Sequence, residues 1–223
     1  NGSHLLEAKA YDQPDNETRL SITVNVNNSS PAPNPTSQQL YLVPVSSGTY
    51  AEYSEQRLYP TTATNQYEAF DEEVPDDIWS FVFTNGDNVR YKTSGKIDST
   101  KIPSAATISS VEVWARAQNV VGSPNMKLLL RAGGVDNFSD PIPVTNTAFT
   151  DYKKVWTSNP AGGDWTQASL ANAEIGVQAW HASANAHRVT AVWMVINYVT
   201  DLPVTSITSP ISGSVLKGNV NVV

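Results

Sequence analysis

The sequence predicts an all-β protein whose central part is an antiparallel two-sheet sandwich of the jelly-roll type. Short runs rich in β-branched and aromatic residues recur along the chain between clusters of turn-forming residues. Only 16% of the residues are charged, a composition that suits exposed sheet surfaces better than salt-bridged helices. The longest and most apolar run, Arg188–Val199, is predicted to lie in the middle of a sheet.

The N-terminal residues 1–26 predict a β-hairpin. Leu5–Tyr11 alternates apolar and charged residues, and Leu20–Val26 alternates apolar residues with Ser, Thr and Asn. This period of two is typical of half-buried strands. The intervening Asp12–Asn16 is dense in turn-forming residues. We therefore expect two antiparallel strands here.

Two boundaries divide the remainder of the chain. Residues 27–37 contain three prolines among Ser and Asn, which predicts an extended, semi-rigid linker. A second boundary is expected at Asp201–Pro203. The central module is thus predicted to span 38–200, and residues 204–223 are predicted to form two further strands.

The central module is predicted to contain eight strands and one short helix. The turn Asn85-Gly86-Asp87 is of the kind that joins hairpin strands. Trp165–Ala173 is the predicted helix, at one end of the sandwich. The predicted strands are Leu40–Val45, Ile78–Thr84, Asn88–Thr93, Ile108–Ala117, Met126–Ala132, Tyr152–Thr157, Ile175–Trp180 and Arg188–Val199.

The two ends of the chain resemble parts of bacterial immunoglobulin-like (Ig-like) repeats. Gly2–Asp12 is similar to the closing strands of such a repeat, with Gly-Ser-His leading into Ala-Tyr-Asp, and Val204–Val223 resembles the opening strands of the next. Pro14–Glu17 departs from the Gly-rich turn of these repeats. The resemblance implies that partial Ig-like strands flank the sandwich and belong to a longer extracellular protein.

The central module resembles an uncharacterised β-sandwich module of phage structural proteins and of large prokaryotic surface proteins. The resemblance spans most of residues 38–200 and is carried by the acidic segment Phe70–Asp77, Ile102–Ile108 before a Val-Glu-Val-Trp-Ala-Arg strand, Val155–Pro160, and a final Val-Ile-Asn-Tyr-Val strand. The resemblance implies a setting on a cell or virion surface and no particular chemistry.

Charge and cysteine content restrict the partners. The formal net charge is −7, and the 14 basic residues are scattered along the sequence. We therefore expect no nucleic-acid partner and no docking on an anionic membrane. The absence of cysteine excludes disulfides and thiolate chemistry. No apolar run approaches the length of a membrane-spanning helix, so membrane insertion is not expected.

The histidines do not suggest an active site. His4 lies in the N-terminal hairpin, and His181 and His187 flank the loop Ala182–Ala186. There is no Gly-x-Ser-x-Gly nucleophile elbow. Two exposed loop histidines are favoured over a metal pair, because a third ligand is missing nearby. We therefore predict that the chain is not an enzyme and needs no cofactor, bound Ca²⁺ being the one exception considered.

The Ca²⁺ hypothesis comes from the acidic segment. Five carboxylates lie within the seven residues of Asp71–Asp77, and a cation would relieve their repulsion. The spacing is not that of an EF-hand, so a solvated acidic loop is the alternative. If Ca²⁺ binds, the predicted ligands are Asp71, Asp76 and Asp77.

Aromatic residues near turns raise the alternative of carbohydrate binding. Trp156 and Trp165 lie near turns, and Tyr50 and Tyr53 lie in a polar stretch, which makes them the predicted sugar platforms. Packing within the sandwich or its loops is the other interpretation for each of them. Three tryptophans within apolar strands are predicted to be core residues: Trp79, Trp114 and Trp193.

Sequons for N-glycosylation begin at Asn16, at the overlapping Asn27 and Asn28, and at Asn137. They permit glycosylation without requiring it, because a chain rich in Ser, Thr and Asn produces such triplets by chance.

These observations predict a non-enzymatic structural or adhesive module of a large extracellular protein, filament or phage appendage. Its expected partners are neighbouring Ig-like domains, of the same chain or of adjacent subunits. The alternative is a carbohydrate-binding module of a secreted enzyme or adhesin, for which glycans are the partner. The expected location in both cases is extracellular, at a cell or virion surface.

Overall fold

The computed structural model describes residues 2–11, 17–26, 37–53, 55–57, 64–75, 77, 81–83, 90–181 and 184–200. The chain divides into two compact units, and the larger one spans Thr36–Asp201. The predicted strands at 204–223 and the linker, apart from Ser37, lie outside the described residues. The domain boundaries within those segments stay predictions.

The smaller unit contains the predicted N-terminal hairpin. Strands β1 (Gly2–Tyr11) and β2 (Glu17–Val26) pair antiparallel, with Gly2 opposite Val26 and Tyr11 opposite Glu17. Arg19 and Glu7 form an ion pair of 3.4 Å on its exposed surface. The assignment of this hairpin to an Ig-like domain stays a prediction.

The larger unit is a sandwich of two antiparallel sheets, as the sequence predicts. The strands of the sandwich are β3 (Ser37–Leu42), β4 (Pro44–Ala51), β5 (Glu55–Arg57), β6 (Phe81–Phe83), β7 (Lys92–Ile97), β8 (Ala106–Val121), β9 (Asn125–Ala132), β10 (Val135–Phe138), β11 (Ile142–Pro143), β12 (Thr150–Trp156), β13 (Glu174–Ala179) and β14 (Ala186–Thr200). Sheet I has the order β12-β8-β14-β6-β5, and β3 also pairs with β14. Sheet II has the order β10-β9-β13-β7-β4, and β11 also pairs with β9.

The core lies between the two sheets and follows the alternation of the strands. Successive side chains of a strand point to opposite faces, so every second residue of β8 and β14 enters the core. Sheet I contributes fully buried residues from β8 (Val111, Val113, Ala115, Ala117) and from β14 (Val192, Met194, Ile196). Sheet II contributes Met126, Leu128 and Leu130 of β9, with Ile175 and Val177 of β13.

The predicted helix at Trp165–Ala173 is wrong: the segment is a series of turns. Asn172 has a φ of 58°, which interrupts a right-handed helix. Leu170 and Ala173 are nonetheless fully buried and close one end of the core. The described helices are two short 3₁₀ turns, Gln66–Ala69 and Ser99–Lys101, and no helix in the described residues has the length and apolarity needed to cross a membrane.

The predicted strand Leu40–Val45 is divided between the two sheets. β3 ends at Leu42 in sheet I, and β4 begins at Pro44 in sheet II. On the edge of β14 that faces β3, Met194–Val199 pair with β3, whereas Arg188 and Val189 pair with β6. Among the described residues, no strand pairs with the part of β14 between these two partners on that side.

Candidate functional site

A groove lies on the outer face of sheet I, beside β14. The backbone N–H of Val192 donates there to the carbonyl of Phe70 at 2.9 Å, so the segment that follows Phe70 begins beside this strand. The start of the acidic segment thus contacts β14 directly. We call the resulting cavity, of about 550 Å³, the groove.

The groove combines apolar and charged walls. Sheet I and the end of β3 supply Tyr41, Val43 and Trp193. The acidic segment supplies the opposite wall, Glu73–Pro75. The remaining charged residues that line the groove are Lys101, Arg116 and Asp151.

Two indoles are stacked on this face. Trp193 of β14 is directly opposite Trp114 of β8, and their ring centroids are 5.6 Å apart with an interplanar angle of 12°. Lys153 of β12 lies over Trp114, with its Nζ 4.6 Å from the ring centroid. Trp193 lines the groove, whereas Trp114 packs behind it. The row of stacked side chains, Trp193, Trp114 and Lys153, therefore holds the indole of Trp193 in one orientation.

Tyr41 is the second aromatic residue of the groove and is 62% exposed. Its hydroxyl donates to Gln39 Oε1 at 3.1 Å, and the Gln39 amide donates to Asn197 Oδ1 at 2.8 Å. Asn197 in turn donates to Glu112 Oε1 at 3.0 Å, and Glu112 Oε2 accepts from the indole N–H of Trp114 at 2.9 Å. One hydrogen-bond chain thus connects both aromatic parts of the site.

Arg116 anchors the acidic segment to the sheet. Its guanidinium donates to both carboxylate oxygens of Asp77, each at 2.5 Å, and to Asp151 Oδ1 at 2.7 Å. These bonds, first those to Asp77, raise the pKa of Arg116. Asp77 adopts a φ of 63°, a left-handed conformation that non-glycine residues seldom adopt. The bidentate pair stabilises this turn and with it one end of the groove.

The tryptophans predicted as sugar platforms are in the core, so that prediction is wrong. Trp156 is 9% exposed and Trp165 is 5% exposed, and both belong to the hydrophobic cluster between the sheets. Their proximity to turns does not expose them, because Trp156 points inward on β12 and Trp165 closes the end of the sandwich.

The reverse correction applies to Trp114 and Trp193, which the sequence predicts as core residues. Both are only partly buried and lie on the outer face. The strand alternation contains the missing signal, because the core residues Val192, Met194 and Ile196 place Trp193 on the opposite side. Trp79 lies outside the described residues.

Tyr50 and Tyr53 lie in different surroundings, and neither lines the groove. Tyr50 is half-buried on the outer face of sheet II, where its hydroxyl donates to Asp136 Oδ2 at 2.6 Å. Tyr53 is only 4% exposed, and burial raises the pKa of its hydroxyl well above the usual value. Tyr53 is therefore a packing residue and not a sugar platform.

The predicted calcium ligands are separated in the described structure. Asp77 is paired with Arg116, and Asp76 lies outside the described residues. Burial raises the pKa of Asp71. No group of three carboxylate or histidine side chains with metal-binding geometry occurs in the part of the chain that is described. Calcium binding stays a prediction, and Asp77 is already paired with the guanidinium of Arg116.

The histidines are buried, so the expectation of exposed loop histidines is wrong. His181 is 5% exposed and His187 is fully buried, with their rings edge to face at 5.6 Å. His187 Nε2 lies 3.1 Å from the hydroxyl of Tyr53, whereas its Nδ1 has no hydrogen-bond partner among the described residues. Burial, assisted by His181, lowers the pKa of His187 to about 3.

Of the sequons at Asn16, Asn27, Asn28 and Asn137, only the last is described. Asn137 is half-buried in β10, and its amide donates to the carbonyl of Val135 at 3.0 Å. The other three lie outside the described residues.

Comparison with known proteins gives remote likenesses only. No protein-family model matches the sequence, and no curated protein matches it. Among the solved structures that match remotely are two carbohydrate-binding modules and one larger protein. The CBM22-1 xylan-binding domain of Paenibacillus barcinonensis Xyn10C has a TM-score of 0.38 and 8% identity, over 74% of this chain and 95% of that chain.

A CBM4 structure has a TM-score of 0.35 and 10% identity, over 70% of this chain and 89% of that one. Dimeric latent PorU from Porphyromonas gingivalis has a TM-score of 0.33 and 12% identity, over 79% of this chain but 14% of that chain. Likenesses at these scores carry no argument about function.

Proposed function

We propose that the chain is a non-catalytic, adhesive module that holds a carbohydrate in the groove of sheet I. The observation that carries this proposal is the pairing of Trp193 and Tyr41 with charged hydrogen-bonding groups around one cavity. Binding sites for small molecules commonly combine an apolar lining with a few polar groups that orient the ligand.

The chemistry of the groove suits a sugar. The pyranose ring offers an apolar C–H face, for which an indole held by a stacked neighbour is a rigid partner. Sugar hydroxyls act as donors and acceptors at once, and the groove offers both kinds of partner. Lys101 is a donor with an exposed side chain, and Glu73 is an exposed acceptor on the opposite wall.

The arrangement of carboxylates supports a binding role without catalysis. Asp151 is already engaged by Arg116, which leaves Glu73 as the carboxylate on the groove wall that no described cation pairs with. Glycoside hydrolysis uses two carboxylates that face each other across the scissile bond. The buried His187 contacts Tyr53 and is not part of the groove lining.

An adhesive role agrees both with a carbohydrate site in the groove and with the predicted position between Ig-like domains of an extracellular protein. A module between Ig-like domains on a cell or virion surface is displayed away from that surface, and a carbohydrate groove would give it a target. The Ig-like neighbours and the extracellular location belong to this proposal and come from the sequence.

The test is a screen of neutral oligosaccharides and polysaccharides, followed by calorimetric titration of any ligand found. Trp193→Ala and Tyr41→Ala are expected to weaken binding at least about tenfold each, since loss of one aromatic contact corresponds to about 1.4 kcal/mol. Tyr91→Ala is the matched control, because Tyr91 is exposed and does not line the groove. Absence of binding to every neutral glycan, or equal weakening in all three variants, would contradict the proposal.

A further inference from the structure

Four side chains that line the groove come from four neighbouring strands of sheet I. In the order of the sheet, these strands are β12, β8, β14 and β3. Adjacent strands lie about 4.8 Å apart, so the lining covers about 14 Å across the sheet. The four side chains, in the same order, are Asp151, Arg116, Trp193 and Tyr41.

The register of the strands makes this line of side chains a diagonal. The first two side chains are directly opposite each other. Trp193 is opposite Trp114, two residues before Arg116 on β8. Tyr41 is opposite Val195, which lies two residues beyond Trp193 in the same direction. With a rise of about 3.4 Å per residue, the lining advances about 14 Å along the strands, and its full length is therefore about 20 Å.

The groove is accordingly an elongated cleft. A round cavity of about 550 Å³ would be only about 10 Å across, half the length of the line from Asp151 to Tyr41. The acidic segment forms a wall beside this line, at Glu73–Pro75. The lining is most exposed at its two ends: Tyr41 is 62% exposed and the Asp151 side chain 43%, against 25% for the side chain of Arg116. Such exposure is expected of a cleft through which a longer chain passes.

We propose that the groove binds an internal stretch of an unbranched, extended polysaccharide, an inference that rests on the carbohydrate-binding function. A pyranose unit spans about 5 Å, or three to four bonds of about 1.5 Å. About four units in a row therefore extend from Asp151 to Tyr41, with one unit against Trp193. A single sugar, whether free or at a chain end, would contact only one part of this lining.

The chemistry of the lining favours a ligand that reaches its middle and both ends. Trp114 covers one face of the Trp193 indole, so a sugar ring stacks on the other face. The Tyr41 hydroxyl donates its own proton to Gln39 and can therefore accept a hydrogen bond from a sugar hydroxyl. At the opposite end, the carboxylate of Asp151 is a second acceptor. A branch on the sugar units beside Glu73–Pro75 would meet the wall of the cleft.

The test is calorimetric titration with linear oligosaccharides of one to six units from four series, those of cellulose, laminarin, mannan and xylan. In the series that binds, we expect the affinity to rise at least about tenfold from the disaccharide to the tetrasaccharide. From the tetrasaccharide to the hexasaccharide it should change less than about twofold, because about four units fill the lining. On the corresponding polysaccharide, the number of bound protein molecules should grow with chain length and not with the number of chain ends.

One variant tests the end of the cleft that lies away from the aromatic residues. Asp151→Ala should weaken binding of the tetrasaccharide about threefold more than that of the disaccharide, because two units held by Trp193 and Tyr41 do not reach Asp151. Asp140→Ala is the matched control, since Asp140 is an exposed aspartate that does not line the groove. Thermal unfolding checks that both variants fold, and the length series on the unaltered protein decides the matter if Asp151→Ala does not.

A monosaccharide or disaccharide that binds as tightly as the tetrasaccharide would overturn this inference and leave the carbohydrate-binding function in place. Binding only of chain ends, or of branched glycans but none of the four linear series, would have the same meaning. Equal weakening by Asp140→Ala would overturn the placement of the sugar chain along the diagonal. Absence of binding to every neutral glycan would overturn both the inference and the function on which it rests.

Discussion

The two outer faces of the sandwich differ in the path of the strand beside them, which is β3 on sheet I and β4 on sheet II. On sheet I, β3 leaves β14 at Leu42, and the acidic segment contacts β14 at Val192 and forms one wall of the open groove. On sheet II, β4 stays against β7 but inserts extra residues, with Ser47 opposite Gly95 and Ala51 opposite Thr93. The extra residues fold onto the face.

The inserted residues fill the middle of the sheet II face. Thr49 is held by Glu174, and Tyr50 reaches Asp136 of β10. Gly48 is required for this approach, because a Cβ there would lie 2.3 Å from Ser94 Oγ and 2.7 Å from Glu174 Oε2. The comparison shows that a β-bulge fills one face with the chain's own polar groups, whereas the divergence of β3 from β14 accompanies an open groove on the other face.

The largest expected effect is on the filled face. Glu174→Ala removes a buried carboxylate that accepts three hydrogen bonds, and should lower the free energy of unfolding by about 3 kcal/mol. Chemical denaturation measures this. The matched variant on the open face, Glu112→Ala, is expected to lower the free energy of unfolding by only about 1 kcal/mol. Water reaches the groups that donate to Glu112, those of Trp114 and Asn197, more easily. Equal costs would show that the two faces do not differ in this way.

The second largest effect concerns the pH dependence of stability that comes from the buried His187. This residue lies in β14, the strand that carries Trp193. The pKa of His187 is lowered from 6.5 to about 3 in the folded protein, so the unfolded chain binds a proton more readily between these values. This contribution is fully present above pH 6.5 and is lost as the pH falls towards 3. Between pH 7 and pH 4.5 we expect a loss of about 2.7 kcal/mol in unfolding free energy.

Denaturation at a series of pH values measures this loss, and His187→Phe should flatten the profile over that window. A profile of the variant that is as steep as that of the unaltered protein would assign the pH dependence to other groups.

A third variant opens the groove further. Arg116→Lys keeps the charge but loses the bidentate bonds to Asp77, and we expect a stability loss of about 1 kcal/mol. Amide hydrogen exchange should become faster at residues 71–74, which lead into and form the wall of the groove, and stay unchanged in β13 of the other sheet. Unchanged exchange in the wall would show that other contacts hold the acidic segment.

The smallest effect concerns the stacked indoles. Trp114→Phe keeps an aromatic ring beside Trp193 but should lower the free energy of unfolding by about 0.5–1 kcal/mol. The circular dichroism of the unaltered protein should contain an exciton couplet from the two indoles, and this couplet should disappear in Trp114→Phe. Trp165→Phe, in the core, is the control that should retain it.

Sequence patterns predicted the strands well and the site poorly. The alternation of Leu20–Val26 predicted the hairpin, and the apolar run Arg188–Val199 predicted a central strand, because a period of two is a local property of the chain. Burial of individual tryptophans was predicted from neighbouring residue types, and this failed for Trp156, Trp165 and Trp193. Which face of a strand is inside depends on the opposite sheet, which the local sequence does not contain.

By itself, therefore, the sequence determined an all-β sandwich, its main strands, the N-terminal hairpin and an overall acidic charge. Tertiary structure decided the remainder: the division of Leu40–Val45 between two sheets, the stacking of Trp114 on Trp193, and the burial of His187. The physical reason is that strand propensity comes from near neighbours along the chain. A binding face instead requires residues that pair across strands distant in sequence, such as Trp114 and Trp193.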